Sequence, residues 1–218
     1  MPVDSYLIAA GALSAVLLIS GLVIGIAAGD DDTAWRIWPA PPAGSLKSFA
    51  FWTLFRTLNV AVLVLAIERL VMPTAVDRFL LLRLALIGIS LVAFAAYLYA
   101  LWALGRAATY CRASGLATEG VYRWTRNPQY ATAIAAFAAL ALALFSWQVT
   151  PLAMALVTVY ALMALAEEPW LEARYGNAYA AYRAEVPRFF NYRHALHRLA
   201  TLITRRSKLI EKVRSTGR

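Results

Sequence analysis

The chain has 218 residues, 61% hydrophobic and 15% charged, with a mean hydropathy of +0.61 and a formal net charge of +9. A soluble domain is about 45–50% apolar and about 25% charged, so the composition excludes disorder, a disulfide scaffold and a soluble nucleotide-binding enzyme. The charge is uneven: residues 1–104 carry six Lys/Arg against six Asp/Glu, and residues 105–218 carry fifteen against six. Behind long apolar stretches that balance fits a cytoplasmic face against anionic lipid, and no nucleic acid.

A bilayer-spanning helix needs about 20 mostly apolar residues. Tyr6–Ala28 meets this without a charge, and Asp4 stands where a signal peptide would be basic. Asp30, Asp31 and Asp32 end the span, and Trp35–Lys47, with its prolines and tryptophans, reads as an interfacial loop. A second span runs from about Phe49 to Val71, with Arg56 snorkelling to the headgroups. A third runs from about Leu81 to Leu104 and ends in an aromatic belt of Tyr97, Tyr99 and Trp102.

Gly105–Gln129 is polar and sets Arg106, Arg112, Arg123 and Arg126 against Glu119 alone, which places it in the cytoplasm. Tyr130–Phe145 and Gln148–Ala166 follow, 16 and 19 residues long, as a tight hairpin that crosses and returns or is re-entrant. The expectation is an all-α integral membrane protein. It has about five transmembrane helices, an outside N-terminus and a cytoplasmic C-terminal helical region. Three parts follow: N-terminal spans at 1–104, a core at 105–190 and a basic amphipathic tail at 191–218 that lies on the membrane. The lone Cys111 forms no intrachain disulfide, and His194 and His197 lack a third ligand, so no metal site is expected.

Two polar constellations carry the chemical signal. The first runs from Thr118 to Tyr130. Gly120 permits unusual backbone geometry. Pro128 fits the first turn of the next helix, and Asn127 is placed to cap it. Free N–H groups beside Arg126 would then suit a carboxylate ligand. The alternative is an interfacial turn with a capping Asn.

The second constellation is Glu167-Glu168-Pro169. Adjacent carboxylates at a membrane edge need partners or a purpose, and neighbours on a helix do not share a face. One would point to a cofactor and the other to the core or substrate. Alternatively a helix simply ends here, with Pro169 in the first turn of the next. Together the two constellations make a pocket for a zwitterionic, positively charged cofactor.

These residues resemble the integral-membrane methyltransferase superfamily, which includes isoprenylcysteine carboxyl methyltransferases and phospholipid N-methyltransferases. The resemblance rests on Gly120 and Tyr122, on Arg126-Asn127-Pro128-Gln129-Tyr130, and on Glu167-Glu168. It continues through Tyr175-Gly176, Tyr179, Tyr182 and Val186-Pro187-Arg188, and covers roughly Gly115–Phe190. It implies an S-adenosylmethionine site lined by Gly120, Tyr122, Arg126, Asn127, Pro128 and Tyr130, open to lipid on one side. One of Glu167 and Glu168 would bind the cofactor's polar end, with Glu167 taken for that role. Many carboxyl methyltransferases of the family have His at the Asn127 position. Asn does not titrate, so a proton role there is excluded.

The Asn-Pro-x-Tyr and Glu-Glu-Pro forms are closer to the phospholipid enzymes. The expected acceptor is therefore a lipid amine headgroup of the phosphatidylethanolamine type, in a prokaryotic cytoplasmic membrane. Glu168, or else Glu167, would take or screen the amine proton. A prenylcysteine carboxylate would instead need a cation, with Arg188, Arg183 or Arg56 as candidates. The rival readings are another small lipophilic acceptor, a nicotinamide-dependent sterol reductase, a scaffold and a transporter. No internal repeat supports the last.

Overall fold

A computed structural model describes residues 3–28, 44–71, 79–109 and 115–190. Most of the interfacial loop, Cys111, both histidines and the basic tail lie outside the described residues, as do the side chains of residues 105–109. Among the described residues there is no strand. In hydrocarbon every backbone N–H and C=O must be satisfied internally, and a continuous helix does this within one segment.

Among the described residues six α-helices follow in order: α1 (Val3–Ala27), α2 (Leu46–Val71), α3 (Leu80–Thr109), α4 (Pro128–Leu144), α5 (Thr150–Tyr175) and α6 (Asn177–Glu185). A 3-10 turn, Gly120–Arg123, precedes α4. By length and composition α1, α2, α3 and α5 are each able to cross a membrane. Helix α4 has 17 residues, or about 26 Å at 1.5 Å per residue, slightly under the hydrocarbon thickness of about 30 Å.

Helix α1 packs between α2 and α5, and α4 packs between α3 and α5. The shared core holds Leu18 and Leu22 of α1, Leu58 and Val62 of α2, and Leu156 and Val159 of α5. Helix α3 is peripheral, with only 6% of its most apolar stretch buried, and Leu81, Val92 and Trp102 project outward. A run of exposed apolar side chains of this kind suits a lipid-facing helix. Arg56 is exposed on α2.

The helices alternate in direction. At one end the rings of Phe55, Tyr97 and Tyr130 gather on Tyr160. At the other, Arg69 donates to the side-chain carbonyl of Gln148, and Arg83 reaches the Arg69 carbonyl at 3.4 Å. The α4–α5 connection is short, as the sequence predicts. Phe145 turns the chain in the left-handed region (φ 37°), and Thr150 Oγ1 accepts from Ser146 N–H at 3.0 Å.

The α5 exit departs from one sequence reading. Pro169 lies inside α5 and does not open a new helix. Proline removes the N–H that would bond to Leu165 and strains the turn. Here the turn is anchored from outside through Glu168. The helix stops instead at Gly176, whose φ of 50° and ψ of −125° are open only to glycine. That break divides the periodic aromatic run and turns Tyr179 and Tyr182 back over the end of the bundle.

Gly11 sits where three helices meet. A Cβ there would lie 3.1 Å from both Ala61 Cβ and a Leu152 methyl. Between membrane helices attraction comes from close packing, and small residues permit it. Gly11→Leu is expected to cost about 1–3 kcal/mol through overpacking, read as a lower melting temperature in detergent, with Gly11→Ala losing less.

Candidate functional site

The polar loop before α4 and the segment after α6 are laced together by hydrogen bonds. Arg126 N–H donates to Pro187 O at 2.9 Å. Thr125 Oγ1 and Asn127 Nδ2 both donate to Arg188 O, at 2.9 and 3.2 Å. The Tyr182 hydroxyl donates to Tyr122 O at 2.7 Å. These contacts hold two strips of backbone some sixty residues apart in one rigid frame over the end of α5.

Asn127 occupies the cap position of α4, but its side chain does not cap the helix. Its backbone N–H donates to Thr125 Oγ1 at 3.2 Å and its amide turns to Arg188. The first turn of α4 therefore keeps donors without an intrahelical acceptor. Pro128, buried at the first helical position, seats that turn.

Glu168 is the charged centre of the frame. It is buried, with 7% of the residue exposed. Arg188 binds it through both oxygens, Nε to Oε1 at 2.7 Å and Nη2 to Oε2 at 2.6 Å. Arg126 Nη2 lies 2.9 Å from the same Oε1. A bidentate guanidinium–carboxylate pair is both strong and directional, and a second arginine gives the cluster one excess positive charge. The Glu168 hydrogen bonds raise the Arg188 pKa further, against a smaller opposing effect of burial.

Glu167 points elsewhere. The Tyr130 hydroxyl donates to its Oε2 at 2.7 Å. Glu167 lines a cavity of about 580 Å³, open mouth included, together with Tyr122, Arg126, Gln129, Trp170 and Tyr179. Leu104, Leu116 and Leu171 form an apolar wall. The two adjacent carboxylates therefore meet different surroundings, as their angular separation on a helix leads one to expect.

Five buried side-chain atoms in this cavity wall have no hydrogen-bond partner: Tyr122 Oη, Arg126 Nε and Nη1, Gln129 Oε1 and Tyr179 Oη. Buried polar groups in native proteins are nearly always paired, and an orphaned one costs about 1–3 kcal/mol. Five in one wall make this cavity the candidate site for a polar ligand. Burial pushes the Tyr122 phenol well above its usual value, with the Glu167 charge adding to it. Burial also raises Tyr179 and Tyr182, with Arg126 pulling each partly back. All three are neutral hydrogen-bond donors at ordinary pH. The Arg126 guanidinium lies 6.0 Å from the Tyr179 ring centroid.

Of the residues singled out from the sequence, Tyr122, Arg126, Asn127 and Glu167 line the cavity, and Tyr130 holds Glu167. Gly120 lies in an adjoining open hollow that shares Tyr122. Its φ of 59° explains the glycine, since a Cβ there would meet nothing. Arg183 pairs with Glu172 at the surface, at 2.9 Å. Sequence reasoning missed Gln129 and Tyr179 as site residues. The three-residue spacing of Tyr179 and Tyr182 was the available signal, whereas nothing local distinguishes Gln129. Among the described residues no group of three His, Cys, Asp or Glu side chains is placed to hold a metal.

Residues 83–178 match the family model described as phospholipid methyltransferase, consistent with the membrane methyltransferase superfamily that the motifs resemble. The match runs from α3 to the start of α6 and supports a membrane methyltransferase acting on lipid. Tyr179, Tyr182 and Arg188 lie beyond it. No curated protein and no solved structure matches the chain.

Removing Glu168 leaves two arginines facing each other. Breaking a buried pair costs about 3–5 kcal/mol, and the 39% exposure of the Arg188 side chain puts this one at the low end. Glu168→Ala is expected to lower the melting temperature in detergent. Glu168→Ala with Arg188→Met should recover part of the loss, because the excess charge is reduced.

Proposed function

We propose that this chain transfers a methyl group from S-adenosylmethionine to the amine headgroup of a membrane phospholipid of the phosphatidylethanolamine type. The observation that carries this reading is the set of orphaned polar atoms around Glu167. The donor set fits the cofactor chemically. The free N–H groups of Arg126 suit its carboxylate, and the phenols of Tyr122 and Tyr179 suit its hydroxyl and ring acceptors. The rings of Trp170 and Tyr179 suit its planar base and its cationic centre. Bound S-adenosylmethionine supplies an electrophilic methyl group on a sulfonium.

The protein's own contribution is alignment, dryness and one proton. An ammonium has no lone pair, so the acceptor must lose a proton before it attacks. Glu167 is the carboxylate that faces the cavity, and its hydrogen bond from Tyr130 fixes its orientation. We assign the proton to Glu167 and not to Glu168, both of whose oxygens are held by arginines. Glu168 also lies outside the cavity wall. Glu168 acts as a positioning residue that holds Arg126 and Arg188 in place. The apolar wall excludes water, and the rigid frame supplies the alignment an in-line displacement needs.

Carboxylate methylation would require an uncommitted cation at the acceptor. Arg188 and Arg183 already have carboxylate partners and Arg56 lines neither cavity, which favours the amine acceptor. A scaffold would have no use for five orphaned polar atoms in one wall.

Methyl transfer from labelled cofactor to phosphatidylethanolamine by purified protein tests the reading directly. Glu167→Gln should reduce turnover by about 100-fold or more, the usual size of a general-base contribution. Raising the pH should restore part of that loss as the free amine supplies itself, while the wild type responds less. A Glu167→Gln variant as active as the wild type at neutral pH would refute the base assignment.

A further inference from the structure

A second cavity lies on the other side of Tyr130, inside the bundle. It has about 330 Å³ of empty space, mouth included, and is walled by Trp52, Phe55, Tyr97, Tyr130, Tyr160 and Gln129, with Leu101 and Met163 completing the lining. Four helices supply these residues, α2 to α5. Five of the eight are aromatic. Their rings are locked by edge contacts, with Trp52 on Phe55 at 5.8 Å, Phe55 on Tyr160 at 5.5 Å and Tyr97 on Tyr160 at 6.0 Å. Neither an acid nor a base contributes to its wall.

Gln129 belongs to both cavities, and its buried Oε1 has no donor. Tyr130 is the partition, with its ring in the second cavity and its hydroxyl on Glu167 in the first. We infer that this aromatic chamber is the binding site for the acceptor's methylated ammonium group, with Gln129 Oε1 accepting its N–H. The inference rests on the amine-transferring reading above and deepens it.

The physical case has three parts. Ring faces carry negative potential and attract a cation, most strongly when it is desolvated and its charge is spread over methyl groups. The same faces repel a carboxylate. A pure hydrocarbon tail would leave the Gln129 acceptor unsatisfied in a dry site, whereas a mono- or dimethylammonium brings the missing donor. A methylated headgroup is therefore retained across Tyr130 from Glu167, with Gln129 bordering both cavities. For a further transfer the nitrogen leaves Gln129 Oε1 and enters the Glu167 cavity, where its proton passes to Glu167, the N–CH3 bond forms and the S–CH3 bond breaks.

The test uses full-length protein in detergent. It compares binding of N,N-dimethyl-phosphatidylethanolamine with phosphatidylglycerol of the same acyl chains, by native mass spectrometry. S-adenosylmethionine affinity is measured in parallel. The wild type is expected to prefer the dimethylammonium lipid about tenfold. Trp52→Leu should abolish most of that preference, a change of about the size of one desolvated cation–π contact. It should leave phosphatidylglycerol binding and cofactor affinity unchanged, and Trp52→Phe should restore the preference. Equal affinity for both lipids in the wild type would overturn the inference and make the chamber a tail site. So would an equal loss for both lipids in Trp52→Leu. If the protein fails to bind S-adenosylmethionine yet keeps the lipid preference, the methyltransferase reading fails and the ammonium site stands.

Discussion

The site depends on one buried carboxylate held by two arginines. Glu168 comes from the exit of α5, Arg126 from the loop before α4 and Arg188 from the strip after α6. No two of these segments adjoin in sequence. Their electrostatic convergence closes a loop of chain over the membrane end of the bundle, and the hydrogen bonds from Thr125, Asn127 and Tyr182 follow from it. Glu167 is thereby aimed the other way, toward the cavity.

The bundle beneath has a different logic. Its helices exist because lipid offers no partner to a bare peptide group, and they associate through close packing. The polar end alone has directional chemistry. Where the two regimes meet, Tyr130 and Gln129 face both ways. They are the first residues of α4 that carry functional polar atoms, set at the interface by Pro128. The excess positive charge of the arginine cluster and the orphaned donors around it suit a ligand with a carboxylate. The aromatic chamber and Glu167 suit a cation. A methyl transfer from a sulfonium to an amine needs both environments within a few ångströms of each other.

Much of the fold was legible from the sequence, because membrane helices announce themselves by length and composition. The spans at α1, α2, α3 and α5 and the tight α4–α5 hairpin follow from apolar runs and their breaks. The site was legible as a set of residues and less so as geometry. Asn127 has every local feature of a helix cap, yet a carbonyl 61 residues away wins its amide, and no spacing rule sees that partner. Pro169 has the local features of a helix start, yet the anchoring of Glu168 carries the helix past it. The roles of Glu167 and Glu168 could not be separated by sequence, since adjacency says that they diverge and not which way. Gln129 is silent in sequence because its significance lies in what it lacks.

The central claim is that the cavity beside Glu167 holds a zwitterionic methyl donor. Calorimetric titration of S-adenosylmethionine into detergent-purified protein tests it most directly, with an Arg126→Met variant beside the wild type. One site of micromolar affinity, lost in the variant, is the predicted result. Folded wild-type protein that takes up no S-adenosylmethionine would contradict the account.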